Sequence, residues 1–488
     1  MGAVPKMLCK DNEEGEFEEC DMETACSGKI SKADINKSLV SWLVTFTLYC
    51  DSESTFWFYE SLFFVGVIMG FLLLSPFVDH FGRKSMILVS SIAISLAYLK
   101  LIFTKGAGGW AIVLLFSGAS AGLYYTTALS YLSEVILQET AIFYISGIHL
   151  AFPLSGVTSS FLIRHSPNWK TPATLMSVIP LLIIAYFAYV VESPRYLAAR
   201  RSYKDARTSI NLICNKNSVP PKRWMFEPES IVYNKSFIEL DTQRQSSYYQ
   251  TSYILSNRSG LLYFIAFGEM LLFICFSACE PLLEVQEFSD MFTTYIVEYA
   301  VMFVIIFLTG FFFSYFGYKF PLFVLLIAMI IISGLRLFQF SGFSSAFLLW
   351  TNKLCALWAV IGAVSFSSLS CPIRVRSSGL GLVLSLGLLG FLLGAVILRF
   401  LPKLNWLLCI APKLALIGLK FTSEPWNYKT NDDIYELVEE ATRNFSHYIK
   451  GTERDSTKHN KEYYMDDKQE DSAKSETKKV FDKKEEPI

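Results

Sequence analysis

Charge is scarce in this chain. Only 18% of its 488 residues are Asp, Glu, Lys or Arg, while 52% are hydrophobic. Soluble domains carry about 25% charged residues, so the deficit excludes a soluble globule. The formal net charge of −1 leaves no basic excess for a nucleic acid backbone. No Gly-x-x-x-x-Gly-Lys-Ser/Thr run is present, so ATP is not read as an energy source. Cys275 and Cys279 sit on an apolar stretch with no histidine beside them, so neither metal nor cofactor is expected. No constellation of nucleophile and base points to an enzyme. The opening Met-Gly-Ala-Val-Pro-Lys lacks the apolar core of a signal peptide, and Lys6 stands where N-myristoylation needs Ser or Thr.

What the chain does have is apolar residues in separated runs of about 20, the length of a helix crossing a bilayer core. Short alternating segments, which a membrane β-barrel would show, are missing. Eleven spans are predicted, at 56–78, 86–104, 110–133, 141–163, 172–191, 260–280, 291–313, 320–341, 343–366, 378–400 and 404–421. The expectation is an all-α polytopic protein whose first partner is the lipid bilayer. Charge placement sets its sense. The segment 192–259 holds eleven Lys or Arg against six Asp or Glu, while 280–290 holds four acids and no base. The positive-inside rule puts the first in the cytoplasm and the second outside.

The chain therefore divides into 1–55, extracytoplasmic and cysteine-bearing; 56–191, five spans; 192–259, a cytoplasmic loop; 260–421, six spans; and 422–488, a cytoplasmic tail, largely disordered by composition. Cys9, Cys20, Cys26 and Cys50 are disulfide candidates if the first segment is outside; free thiols are the alternative. Residues 39–48 are too short an apolar patch to span, and are read as interfacial or packed on the outer face.

Between the first two spans lies Ser75-Pro76-Phe77-Val78-Asp79-His80-Phe81-Gly82-Arg83-Lys84. Gly82 lets the chain turn, Asp79 can cap a helix N-terminus, and Arg83 and Lys84 hold the turn at the headgroups. The pattern resembles Gly-x-x-x-Asp-Arg-x-Gly-Arg-Arg/Lys, the loop motif between helices two and three of the major facilitator superfamily. Ser75 and His80 replace that motif's first Gly and first Arg. Glu192-Ser193-Pro194-Arg195-Tyr196-Leu197 is similar to the Pro-Glu-Ser-Pro-Arg-Trp motif of sugar-porter and organic-ion members. Glu134 ends the third span as a Glu ends that family's fourth helix. Cys371-Pro372-Ile373-Arg374-Val375-Arg376-Ser377 resembles its Glu-x-x-Pro-Thr-x-x-Arg-Ser, and Thr422-Ser423-Glu424-Pro425 its closing Pro-Glu-Thr.

Trp42-Leu43-Val44-Thr45-Phe46-Thr47-Leu48-Tyr49-Cys50-Asp51 matches Trp-x-x-x-aromatic-x-Leu-x-Cys-Asp of the organic cation/anion/zwitterion subgroup, at the end of its large external loop. The resemblance implies a major facilitator fold of two pseudo-repeat halves, with the eleven spans standing for helices two to twelve and the first helix absent, through truncation or loss. It further implies a plasma-membrane solute carrier. It assigns a gating network to Asp79, Arg83, Lys84, Glu134, Glu192, Arg195, Arg376 and Glu424, with Glu134 and Glu192 partnering Arg83 and Arg195.

The second half departs from the pattern. In Gly310–Lys319, where the loop motif should repeat, the Asp position is Ser314 and the Arg positions are Tyr315 and Tyr318. Leu369 replaces a Glu, and Leu388 stands where the subgroup carries charge. Two readings stay open: transport of a small organic solute by alternating access, with a co-transported proton or cation as a further partner, or a transport-inactive scaffold or sensor. Ionisable groups at mid-membrane depth are costly and point to function, which singles out Glu269 and His149 as solute or proton candidates. Tyr124, Tyr125, Thr126 and Thr127 are hydroxyl-bearing neighbours for a solute. Packing or a satisfied core histidine is the plainer reading of the last five.

Overall fold

The computed structural model describes residues 53–136, 138–165, 168–200, 202–218, 288–316, 343–371 and 373–400. It also describes pieces of the N-terminal segment (7–10, 18–20, 22–26, 30–33, 42–46, 48, 50 and 51) and single residues between 321 and 335. The predicted spans 260–280 and 404–421, with Glu269 and Glu424, lie outside the described residues.

The N-terminal segment forms a small antiparallel sheet, β1 (Met7–Lys10) between β2 (Glu18–Cys20) and β3 (Ile30–Ala33), with the short helix α1 (Met22–Cys26). Cys9 is bonded to Cys20 and Cys26 to Cys50. After it, α2 (Trp42–Thr45) plants Trp42 face to face on Trp110, ring centroids 4.5 Å apart. Phe46, Tyr59 and Trp169 complete this aromatic cluster, and the Trp169 indole N–H donates to the Thr45 hydroxyl at 2.9 Å. Trp42, Phe46 and Leu48 of the apolar patch too short to span thus pack against the bundle's end.

The bundle follows from the apolar runs. Helix α3 (Glu53–Met69) passes through one π turn (Gly70–Leu74) into α4 (Ser75–Phe81). Then come α5 (Arg83–Phe103), α6 (Ala107–Val135), α7 (Gln138–His149), α8 (Ala151–His165) and α9 (Lys170–Ala188). Two short helices, α10 (Pro194–Ala199) and α11 (Tyr203–Lys216), leave the bundle. A second group comprises α12 (Phe288–Phe316), α13 (Phe343–Ser370) and α14 (Arg376–Phe400). Among the described residues seven stretches are long and apolar enough to cross a membrane, and Leu354–Leu369 is a shorter apolar one. Their outward faces carry exposed Leu73, Ile112, Leu182 and Tyr186, which suit hydrocarbon and not water.

Small residues let α3 and α6 touch backbone to backbone. A Cβ on Gly66, Gly70 or Gly118 would collide with the carbonyl oxygen of Leu115, Ala119 or Phe63 respectively. The central core draws on both groups: Phe71, Leu129, Ile142 and Ile145 meet Phe313, Ala356, Val364 and Leu380.

Two predicted boundaries shift. The first span does not stop at Val78, because the helix runs on to Phe81 and Asp79 lies on its last turn. The turn is Gly82 alone, at φ +99°, where a side chain is strained. The predicted 141–163 span is broken after His149. Pro153 has no N–H to return to the His149 carbonyl four residues back. Instead the Leu150 N–H bonds Gly147 O at 3.1 Å, and the helix restarts with Leu154 N–H on Leu150 O at 3.2 Å.

Candidate functional site

A polar junction ties the two helix groups together at the end of the bundle bearing the 75–84 segment. Asp79, 3% exposed, turns its carboxylate onto the N-terminus of α14. Oδ1 accepts the Ser377 N–H at 3.2 Å; Oδ2 accepts the Ser378 N–H at 2.8 Å and the Ser378 hydroxyl at 2.6 Å. This is helix capping supplied from elsewhere in the chain. The first turn of α14 has N–H groups with no intrahelical acceptor and a partial positive charge, and Asp79 answers both.

Arg83, wholly buried, holds the next layer. Its Nε and Nη2 donate to Glu134 Oε1 at 3.1 and 2.9 Å, and Nη2 lies 3.2 Å from Asp79 Oδ1. Nη2 also donates to the Ile373 carbonyl at 2.7 Å, which crosses to the second group. Arg376 crosses the other way: Nε donates to Cys371 O at 3.1 Å and Nη1 meets the Ser133 hydroxyl at 3.4 Å. The Ser377 hydroxyl donates to Ser130 Oγ at 3.0 Å. Glycine permits this closeness, since a Cβ on Gly381 would collide with the Phe71 carbonyl and the Ser75 hydroxyl.

The Glu192 segment braces the turn from outside. Its Oε1 accepts N–H groups of Arg83 at 3.1 Å, Lys84 at 3.2 Å and Ser193 at 3.0 Å, and its Oε2 takes Lys84 N–H at 3.1 Å. Burial raises the carboxyl above its ordinary value, against these donors and the nearby Arg83 charge. Ser193 caps α10 by accepting the Tyr196 N–H at 3.2 Å, with Pro194 in the first turn. That capping presents Tyr196, 4% exposed, as a ring 4.0 Å from the Arg83 guanidinium carbon. Burial raises the Tyr196 phenol. Its hydroxyl donates to His80 O at 3.2 Å and accepts from Arg200 at 2.8 Å.

The structure thus brings Asp79, Arg83, Lys84, Glu134, Glu192 and Arg376 into one junction. Among the described residues no ion pair joins Glu192 to Arg195, because the carboxylate is taken up by backbone N–H groups. Tyr196, Ser377 and Ser378 were missed as members. Only the aromatic position of the Glu-Ser-Pro-Arg-Tyr segment signalled Tyr196.

Of the mid-membrane candidates, Thr126 and Thr127 are fully buried and bond their own helix: Thr126 Oγ1 to Leu123 O at 3.0 Å, Thr127 Oγ1 to Leu123 O at 2.6 Å. Tyr124 is half-buried. Tyr125 and His149 meet, with 2.8 Å between the hydroxyl and Nε2, while His149 Nδ1 lies 2.9 Å from Ile145 O.

The class is now set: a helical, multi-pass membrane protein whose two helix groups are joined by a charged turn capping a distant helix. The sequence profile of the Major Facilitator Superfamily matches residues 34–395, and the chain belongs to that family. It is 28% identical over 145 residues to a gallate transporter of Pseudomonas putida, covering 28% of this chain and 32% of that one. It is 21% identical over 212 residues to the human organic cation/carnitine transporter 2, covering 43% and 37%. The matched stretches thus span about a third of these relatives' lengths, and the relatives are transporters, not enzymes. The solved structure of a proton:xylose symporter bound to 6-bromo-6-deoxy-D-glucose shares the fold, with a TM-score of 0.58 at 16% identity over 78% of this chain and 88% of that one.

Proposed function

We propose that the protein carries a small organic solute (an organic ion, a zwitterion or a sugar-like molecule) across a membrane by alternating access. The carrying observation is the junction itself. Asp79, Arg83 and Arg376 join the two helix groups at one end through polar bonds, on a rigid glycine-lined seam. Such an interface has two discrete arrangements, bonded and released, which a rocking transporter needs. The positive-inside rule, applied to the basic 75–84 and 192–259 segments, supports a cytoplasmic position for this end and, with it, a state closed on the cytoplasmic side. A plasma-membrane location fits the family resemblance.

One observation favours the scaffold reading. Ser314, at the Asp position of the second motif copy, is exposed on the last turns of α12, so among the described residues that position supplies no equivalent cap. Uptake separates the two readings. Reconstituted into vesicles, the full chain should accumulate at least one member of a panel of organic cations, anions, zwitterions and sugars above empty-vesicle level, and Asp79→Asn should change that rate. No uptake across the panel retires the transporter reading in favour of the scaffold.

A further inference from the structure

Resting on the alternating-access reading, we infer that Tyr131, outside the network the resemblance assigns, is a positioning residue of this closure. It sets the Glu192 brace on the 75–84 turn, so that the turn, the 189–193 link and the end of α6 move as one body when the two helix groups part.

A closed ring of bonds carries the inference. Tyr131 and Glu134 stand at i and i+3 near the end of α6, on one face of the helix. Glu134 holds the Arg83 side chain, Nε at 3.1 Å and Nη2 at 2.9 Å. The Tyr131 hydroxyl donates to the Val191 carbonyl at 2.9 Å. Val191 is joined directly to Glu192, whose carboxylate accepts the main-chain N–H groups of Arg83 and Lys84, each at 3.1 Å. Arg83 is thus gripped by its side chain and by its main chain, and both grips run back to the same turn of α6.

The link needs a donor from outside. Residues 190–193 form no helix, since α9 ends at Ala188 and α10 starts at Pro194, so a carbonyl there has no helical N–H to serve it. The Tyr131 ring packs edge-on to Phe187 at the end of α9, centroids 5.9 Å apart, and its hydroxyl reaches the chain just beyond. A carboxylate that accepts N–H groups of Arg83, Lys84 and Ser193 together has little freedom to shift, so moving Val191 strains all of those bonds. The bonds from the turn to the second group, Arg83 to Ile373 O and Asp79 to Ser377 and Ser378, lie outside the ring. They can part while the ring stays closed.

The test reads amide hydrogen exchange in the purified full chain, resolved at Arg83 and Lys84. Tyr131→Phe removes only the hydroxyl. Exchange at those two amides should speed up about tenfold, equivalent to about 1.4 kcal/mol and the size of one hydrogen bond. The middle of α5 and of α6 should change less than about twofold. Para-aminophenylalanine at position 131 returns an N–H donor to Val191 O and should recover most of the protection. Because Tyr131 acts through Glu192, Tyr131→Phe added to Glu192→Gln should exchange no faster at Arg83 and Lys84 than Glu192→Gln alone. Asp79→Asn, which loosens the cap outside the ring, should leave both amides within about twofold. Unchanged exchange in Tyr131→Phe, equal loosening all along α6, additive effects in the double variant, or a tenfold rise in Asp79→Asn overturns the inference. The expected pattern in a chain that takes up no solute into vesicles keeps the ring and defeats transport. Uptake together with unchanged exchange in Tyr131→Phe keeps transport and defeats the ring.

Discussion

Replacing Asp79 with Asn tests the junction most directly. The carboxylate accepts three bonds from the first turn of α14 and faces Arg83, and all of these groups are buried. Asparagine keeps the shape and one acceptor oxygen but loses the charge. A charge-assisted hydrogen bond contributes about 1.5–3 kcal/mol, and a carboxylate at a partly buried helix N-terminus up to about 2 kcal/mol. Asparagine retains some of this, so the closed arrangement should lose about 2–4 kcal/mol. At 1.4 kcal/mol per decade, the open-to-closed ratio then rises by a factor of about 30 to several hundred.

The chain carries its own reporter. Cys371, outside the two disulfides, is 1% exposed at the junction, and its carbonyl accepts from Arg376. With the other cysteines outside the two disulfides changed to Ser, the labelling rate of Cys371 by a maleimide in the detergent-purified protein reads the open fraction. Asp79→Asn should raise that rate at least tenfold, while Ser314→Ala, on the exposed second copy, should leave it within twofold. A rate for Asp79→Asn within twofold of the unmodified chain, in protein that still elutes as a folded species, would falsify the capping argument.

Three further outcomes follow from the same geometry. Gly381→Ala wedges the Phe71 carbonyl and Ser75 hydroxyl without touching a charge, and such overpacking costs about 1–3 kcal/mol; it should also accelerate Cys371 labelling, and unchanged labelling would count against close packing there. Gly82→Ala places a Cβ 2.6 Å from Glu192 Oε2 at φ +99°, a strain of about 1–3 kcal/mol, so the melting temperature should fall by several degrees. Glu192 gives a pH dependence whose sign is fixed. Burial raises its carboxyl above 4.5 when docked, so the docked segment binds the proton more readily than the released one. Docking is favoured below about 4.5 and loses that contribution as pH rises through the docked value. Protease nicking of residues 202–218 should be slower at pH 4.5 than at pH 7.5, with the slope flattened in Glu192→Gln; the opposite slope refutes it.

Much of this was legible from the chain, because the responsible chemistry is local. Apolar run length marks helices that cross a bilayer. Gly82 alone tolerates the turn's φ, Ser193-Pro194 starts a helix, and the Gly66/Gly70 and Gly118/Gly122 spacings admit close helices. The charged segment and its companion Glu134 are recognisable from residue type and order. What sequence reasoning missed involves partners far along the chain. The resemblance implies Arg83 and Arg195 as partners of Glu134 and Glu192; the residue type of Glu192 does not show that its carboxylate accepts the backbone N–H groups of Arg83, Lys84 and Ser193.

The sequence by itself determined that this is a multi-pass helical protein of the Major Facilitator type and that residues 75–84 carry a charged segment turning at Gly82. Only the tertiary structure decided what that turn does. A capping carboxylate satisfies whichever helix end is brought to it, and here Asp79 caps residues 298 and 299 positions away. In the same way, Pro153 announces a break, but which hydroxyl meets His149 there depends on how α6 packs beside α7. Nearest-neighbour chemistry is written in the chain; the partner of a buried polar group is chosen by packing.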